Sequence, residues 1–260
     1  MAGGWHDMGI RIYLTGRVAV EVDGKVLVNE RHLRGRQGRQ VFAYLICENS
    51  RPIPAEELAT VIWPENLAPS WRGALSALIS RLSRVLSIEP LKDGGVSLSA
   101  GFGKYQVHLP ADVWIDLEAG TSAIDRAEAA LREGHPGQVL GPATVTATIA
   151  RRSFLPGLSG FWAESQRGKL ERQLVRALDC LTEMRLSTGE SSLAVESAIE
   201  AVALDPYRER SHRLLMRAHA QSGNRASALN AYHSLRLLLA EELGTVPSAE
   251  TEAVYLGLLE

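Results

Sequence analysis

The chain has 260 residues, 45% of them hydrophobic and 22% charged, with a formal net charge of −2. That is the balance of a soluble globular protein long enough to bury a core, as one large domain or two ordinary ones. No apolar run approaches the ~20 residues needed to cross a bilayer. The N-terminal M-A-G-G-W-H-D-M lacks the basic-then-apolar order of a signal peptide. Cys47 and Cys180 sit in amphipathic patterns with no Cys-x-x-Cys pair, so a reduced, cytoplasmic setting is expected. Charge divides unevenly: residues 1–112 hold 13 Lys+Arg and 11 Asp+Glu, residues 113–260 hold 15 and 19. A basic head on an acidic body fits a nucleic-acid reader joined to a protein-binding part.

Residues 10–28 alternate apolar and polar with β-branched enrichment, and Asp23-Gly24 lies between two such runs. Two or three short antiparallel strands with a tight hairpin turn are expected. From Leu33 the chain turns basic, with Arg31, Arg34, Arg36 and Arg39 and no acid among them, and then becomes an apolar helix over Val41 to Cys47. Such a run can grip a phosphate backbone, or be only a solvated first turn. Pro54 to Trp63 reads as a short helix, with proline and acids at its start and Pro64 ending it.

The stretch P-S-W-R-G-A-L-S-A-L-I-S-R-L-S-R-V-L-S, Pro69 to Ser87, is the pivot of this half. Ser70 is expected to cap a helix with its side chain. Leu75, Leu78, Ile79, Leu82 and Leu86 then form one apolar stripe. The opposite face carries Gly73, Ser76, Ala77, Ser80, Arg81 and Arg84, flanked by Arg72, and no Asp or Glu occurs from Asn66 to Ile88. This slim, cationic face suits a major groove, where arginine reads guanine edges or phosphates and serine reaches either. The solvated back of a core helix would carry similar residues. Val96 to Leu109 alternates at period two around A-G-F-G, a hairpin with Lys104 at its tip, Tyr105 packed beneath and His108 on the surface. Two short helices and a longer basic one, followed by this hairpin, have the order of a helix-turn-helix with a wing.

From W-I-D-L-E onward amphipathic helices are expected near 116–133, 137–150, 159–188, 190–204, 207–222, 224–243 and 248–259. Leu181, Gly189 and Ala194 recur as Leu215, Gly223 and Ala228, each 34 residues on. That is the tetratricopeptide period, and Asp205-Pro206 breaks the chain where such repeats turn. No G-x-x-x-x-G-K-[ST], H-E-x-x-H or G-x-S-x-G occurs, and aromatics at 6% are too sparse for a base-stacking platform. His212, His219 and His233 lack a carboxylate or cysteine at ligand spacing, so no metal, cofactor or catalytic group is expected.

The motifs L-A-x-x-I-W-P-E, A-L-x-x-L-I-S-R-L-S-R-V-L and G-x-G-K-Y-x-V resemble the response-regulator type of winged helix. The form they resemble most is that of the Streptomyces antibiotic regulatory proteins (SARPs), although Ser83 stands where that family often has arginine. F-L-P-G, W-A-E-S-Q-R-G-K-L-E and the ending G-N-R-A-S-A-L-N-A-Y-H-S-L-R-L-L-L-A-E-E-L-G-T-V-P-S resemble that family's bacterial transcriptional activator domain. The resemblance covers roughly residues 10–260. It implies an α+β winged helix-turn-helix over residues 1–112 and an all-α, tetratricopeptide-like activator domain over 113–260, the short two-module form without a receiver domain. It further implies a non-enzymatic regulator that binds double-stranded DNA, two copies on direct repeats, and touches RNA polymerase, with no membrane partner. Arg34, Arg36, Arg39, Arg72, Ser76, Ser80, Arg81, Arg84 and Lys104 are the expected DNA-contacting residues. A protein-interaction scaffold and an effector-gated regulator are the alternatives.

Overall fold

A computed structural model describes residues 9–65, 67 and 69–260. The N-terminal octapeptide, read above for a leader, and Asn66 and Ala68 of the linker lie outside the described residues. The chain forms an N-terminal α/β part with small sheets, followed by a mostly helical part. It divides into two compact units, residues 1–119 with 152–168, and residues 120–151 with 169–260.

In the first unit, β1 (Ile10–Tyr13), β2 (Ala19–Val22) and β3 (Lys25–Asn29) form an antiparallel meander, and β7 (Trp114–Ile115) adds in parallel to β1, giving the order β3-β2-β1-β7. The meander turns at Asp23 and Gly24, with φ of 51° and 76°, the left-handed pair that matches strand twist. Ile10 and Ile12 face the core, while Tyr13 on the other side packs on Trp114. Three helices follow: α1 (Gly35–Cys47), α2 (Ala55–Ile62) and α3 (Trp71–Leu86). Phe42, Leu45, Ile46, Leu58, Leu75 and Leu82 bury their junction. After the short α4 (Glu89–Asp93), β5 (Ser97–Gly101) and β6 (Lys104–His108) form a hairpin, and β4 (Ile53–Pro54) pairs with β6 as a third strand.

Residues 152–168 fold onto this same unit, although the sequence reading assigned them to the helical part. Leu155 N–H donates to the Leu14 carbonyl at 3.1 Å, and Gly16 N–H to that of Ser153 at 2.8 Å. Phe154, Leu155 and Leu158 are buried, and the Trp162 ring stands edge-on to Tyr44 and Phe154 at 5.0 and 5.3 Å. The Arg167 guanidinium caps the carbonyls of Phe154, Leu155 and Leu158. The F-L-P-G and W-A-E-S-Q-R motifs are specific because each of these side chains has an assigned place.

Asp116 closes the unit. It is fully buried, and its Oδ2 accepts from Leu14 N–H, Thr15 N–H and Thr15 Oγ1 at 2.8–2.9 Å while Oδ1 accepts from Leu117 N–H. Burial nonetheless leaves the carboxyl above the usual carboxylate range.

The helices of the second half are α5 (Asp116–Arg132), α6 (Leu140–Ala150), α7 (Phe161–Thr188), α8 (Ser191–Leu204), α9 (Glu209–Gln221), α10 (Arg225–Leu243) and α11 (Ala249–Leu259), as the periodicity predicts. The second unit's main core is rich in alanine (Ala127, Ala143, Ala147, Ala177, Ala201), which lets helices approach closely. Burial pushes the Cys180 thiol within it up to about 12. The 34-residue repeat keeps its geometry: Gly189 and Gly223 have φ of 80° and 77°, and Ala194 and Ala228 are both buried. After each glycine the next amide reaches back to close the helix, Glu190 N–H to the Arg185 carbonyl and Asn224 N–H to that of His219, both at 2.8 Å. Asp179 is buried between Arg208 Nε at 3.0 Å and Ser211 Oγ at 2.8 Å, pinning the start of α9 to α7. Among the described residues no helix is long and apolar enough to cross a membrane, and no group of three metal-ligating side chains gathers.

Candidate nucleic-acid interface

Helix α3 buries Leu75, Ile79, Leu82 and Leu86, with Leu78 half-buried. Arg72, Gly73, Ser76, Ala77, Ser80, Arg81 and Arg84 are all exposed. The expected side-chain cap at Ser70 does not form, and this is a correction. Ser70 has ψ of 10°, outside the extended region a capping side chain requires, and its carbonyl accepts from Gly73 and Ala74 N–H instead.

The basic residues before α1 are placed by two glycines. Arg34 takes φ of 47° and Gly35 follows at 85°. A Cβ at Gly38 would lie 1.8 Å from the Leu33 carbonyl oxygen, so only glycine lets the backbone double back there. This turn brings Arg31, His32 and Arg34 to face Arg81, Arg84 and Val85 of α3 across a cleft of about 320 Å³. Among the described residues no carboxylate lines it, so converging guanidiniums there have only an anion to gain. The sequence reading counted Arg31 among the basic run but did not single it out as a contact.

The expected contact residues divide into two groups. Arg34, Arg81 and Arg84 reach the cleft, Ser76 and Ser80 lie on the exposed face of α3, and Lys104 is exposed beside the tip of the β5–β6 hairpin. Arg36, Arg39 and Arg72 instead have partners within the first unit. Arg36 donates to the Ser159 carbonyl at 3.2 Å and to its hydroxyl. Arg39 pairs with Glu30 and donates to the Pro156 carbonyl at 3.3 Å. Arg72 pairs with Glu56 of α2 at 3.0 Å and lies over the Trp71 ring. At the hairpin, Tyr105 is half-buried opposite Ile53, and exposed His108 meets Ser99 Oγ at 3.0 Å.

Comparison with known proteins places this arrangement in a class. The bacterial transcriptional activator domain matches residues 115–259. Regulatory protein AfsR of Streptomyces coelicolor is 31% identical over 254 residues, 96% of this chain but 24% of AfsR, so the chain spans about a quarter of that relative's length. Transcriptional regulatory protein MoaR1 of Mycobacterium tuberculosis is 25% identical, covering 98% of this chain and 83% of MoaR1. In fold, the chain is similar to Mycobacterium tuberculosis EmbR, solved in complex with a low-affinity phosphopeptide, with a TM-score of 0.80 at 22% identity over 96% of this chain and 65% of that one. The relatives are transcriptional regulators. The chain belongs to the bacterial transcriptional activator domain family, and within it is of the SARP type.

Proposed function

We propose that the chain binds double-stranded DNA sequence-specifically through a winged helix-turn-helix contained in residues 1–112. Helix α3 lies in the major groove with Ser76, Ser80 and Arg81 toward the bases. Arg31, Arg34 and Arg84 hold the adjoining phosphates, and the β5–β6 hairpin is the wing over the neighbouring minor groove. Within residues 113–260, the helical unit of residues 120–151 and 169–260 is the tetratricopeptide-like activator module, which touches RNA polymerase in the cytoplasm while two copies occupy direct repeats. The observation that carries the DNA reading is the cleft: Arg31, Arg34, Arg81 and Arg84 converge where, among the described residues, no acid lines the walls.

The test is a salt titration of the full-length protein on a 30-base-pair random duplex. Each phosphate contact contributes roughly 0.9 to the slope of log affinity against log salt. Arg34→Ala and Arg84→Ala are each expected to lower that slope by about 1 and weaken binding at every salt concentration. Arg217→Ala, an exposed arginine on α9, is the control for net charge and should leave the slope unchanged. Wild-type affinity and slope in both cleft variants would refute the assignment.

A further inference from the structure

The β5–β6 hairpin turns on two residues, Phe102 and Gly103, with φ of 52° and 71°. The β2–β3 hairpin makes the same left-handed pair with Asp23 and Gly24, residues that tolerate it. A phenylalanine is a poor choice for that backbone, because its Cβ crowds the following carbonyl. Its side chain is also 107% exposed, the most exposed large apolar group among the described residues. Phe102 therefore costs the fold twice, in backbone strain and in apolar surface left in water, and packs on nothing that would offset either.

The surroundings indicate what it meets. Between Asp93 and Asp112 the chain has no acid. Around the tip the hairpin exposes small or polar groups and one lysine, with no acid among them: Ser97, Ser99, Ala100, Gly101, Lys104 and His108. The tip is held in place, since Gly103 accepts from Ala55 N–H at 2.8 Å and β6 pairs with β4 as well as β5. An anchored, two-residue tip with an apolar ring at its apex and a lysine beside it matches a polyanion with an apolar interior reached through a narrow groove. An apolar side chain entering the minor groove can part a base step and kink the duplex.

We infer that Phe102 is a wedge that inserts between base pairs in the minor groove and bends the DNA. This rests on the DNA-binding reading above and adds to it a residue that carries no charge. A wedge predicts a signature different from that of the arginines: loss of affinity and bend with no loss of salt dependence.

The experiment uses the full chain and a 30-base-pair duplex that the wild-type protein selects from a randomised library, labelled at both ends for energy transfer. Phe102→Gly removes the ring and relieves the positive φ. It should unfold no earlier than wild type on heating, bind the selected duplex about tenfold more weakly, as expected for one lost stacking contact, and leave it straighter. Its salt slope should equal that of the wild type. Phe102→Leu, which keeps an apolar wedge, should restore most of the bend. Arg84→Ala should show the converse, a shallower salt slope. A Phe102→Gly protein that binds and bends the duplex like wild type overturns the wedge while Arg84→Ala still supports DNA binding. Unchanged DNA binding together with lost transcription in a reconstituted assay would assign Phe102 to a protein contact and equally overturn it. Failure of the wild-type protein to enrich any duplex would remove the DNA reading and the wedge together.

Discussion

Replacing Asp116 with alanine should destabilise the first unit by about 3 kcal/mol. The carboxylate is wholly buried and holds the Leu14 and Thr15 amides and the Thr15 hydroxyl at 2.8–2.9 Å. The hydroxyl can rotate to another acceptor, but the two amides cannot leave the end of β1. A buried donor without an acceptor costs roughly 1–3 kcal/mol, so two cost about 2–6 kcal/mol. Against this stands relief from burying a carboxylate, whose cost shows in a carboxyl held above its usual range. The balance is about 3 kcal/mol, a fall in melting temperature of roughly 10 °C for a unit of this size. An asparagine at this position would keep one acceptor oxygen but turn an N–H₂ toward the remaining donors, so Asp116→Asn should fall between wild type and alanine. The assay is urea unfolding followed by intrinsic fluorescence, because Trp63, Trp71, Trp114 and Trp162, the tryptophans among the described residues, all lie in the first unit and report it. Midpoints for both variants that correspond to less than about 0.5 kcal/mol of change, within the range of an ordinary surface substitution, would show that this clamp carries nothing.

The second unit supplies two more tests. His212 donates from Nε2 to the Pro206 carbonyl, and its Nδ1 is buried with no partner, so burial holds its pKa below the usual histidine value. The folded state then binds the proton less readily than the unfolded one. The stability contribution is complete above about pH 6.5 and is lost as pH falls through the depressed value, at no more than about 1.4 kcal/mol per pH unit. In urea titrations read by circular dichroism at pH 7.5 and 5.5, His212→Gln should lose less stability on acidification than wild type; parallel losses would count against this. Gly189→Ala and Gly223→Ala should each cost about 1 kcal/mol, because both adopt a left-handed φ and a Cβ at either site meets no neighbouring atom. Clearly unequal penalties would break the equivalence of the two repeats.

What could be read from the sequence was what nearest neighbours along the chain determine. Asp23-Gly24 declares its hairpin because the turn's backbone accepts few other pairs. The α3 stripe and the 34-residue repeat are visible because burial recurs at a helical or repeat period. The capping role of Ser70 failed although its residue type is right, because the cap depends on ψ and the chain enters α3 already turned. Arg36 and Arg39 look like free cations in sequence, but their partners Ser159 and Pro156 lie 123 and 117 residues away. No local pattern announces such a meeting.

For the same physical reason a division at residue 112 is natural in the sequence and yet cuts through a folded unit. Charge and periodicity both change there, but the α/β part is completed by pieces from beyond it: β7, Asp116 and the Phe154–Trp162 segment. Each contributes side chains whose place in the first unit, far along the chain from the residues they meet, no local pattern shows. Phe102 is the converse. The A-G-F-G run places it at a hairpin tip already in the sequence, and the coordinates add that it takes a left-handed backbone and turns its ring to solvent. Residues that break a local rule without returning anything to the fold are where a functional contact is to be sought, and Phe102, on a left-handed backbone with its ring in solvent, meets both conditions.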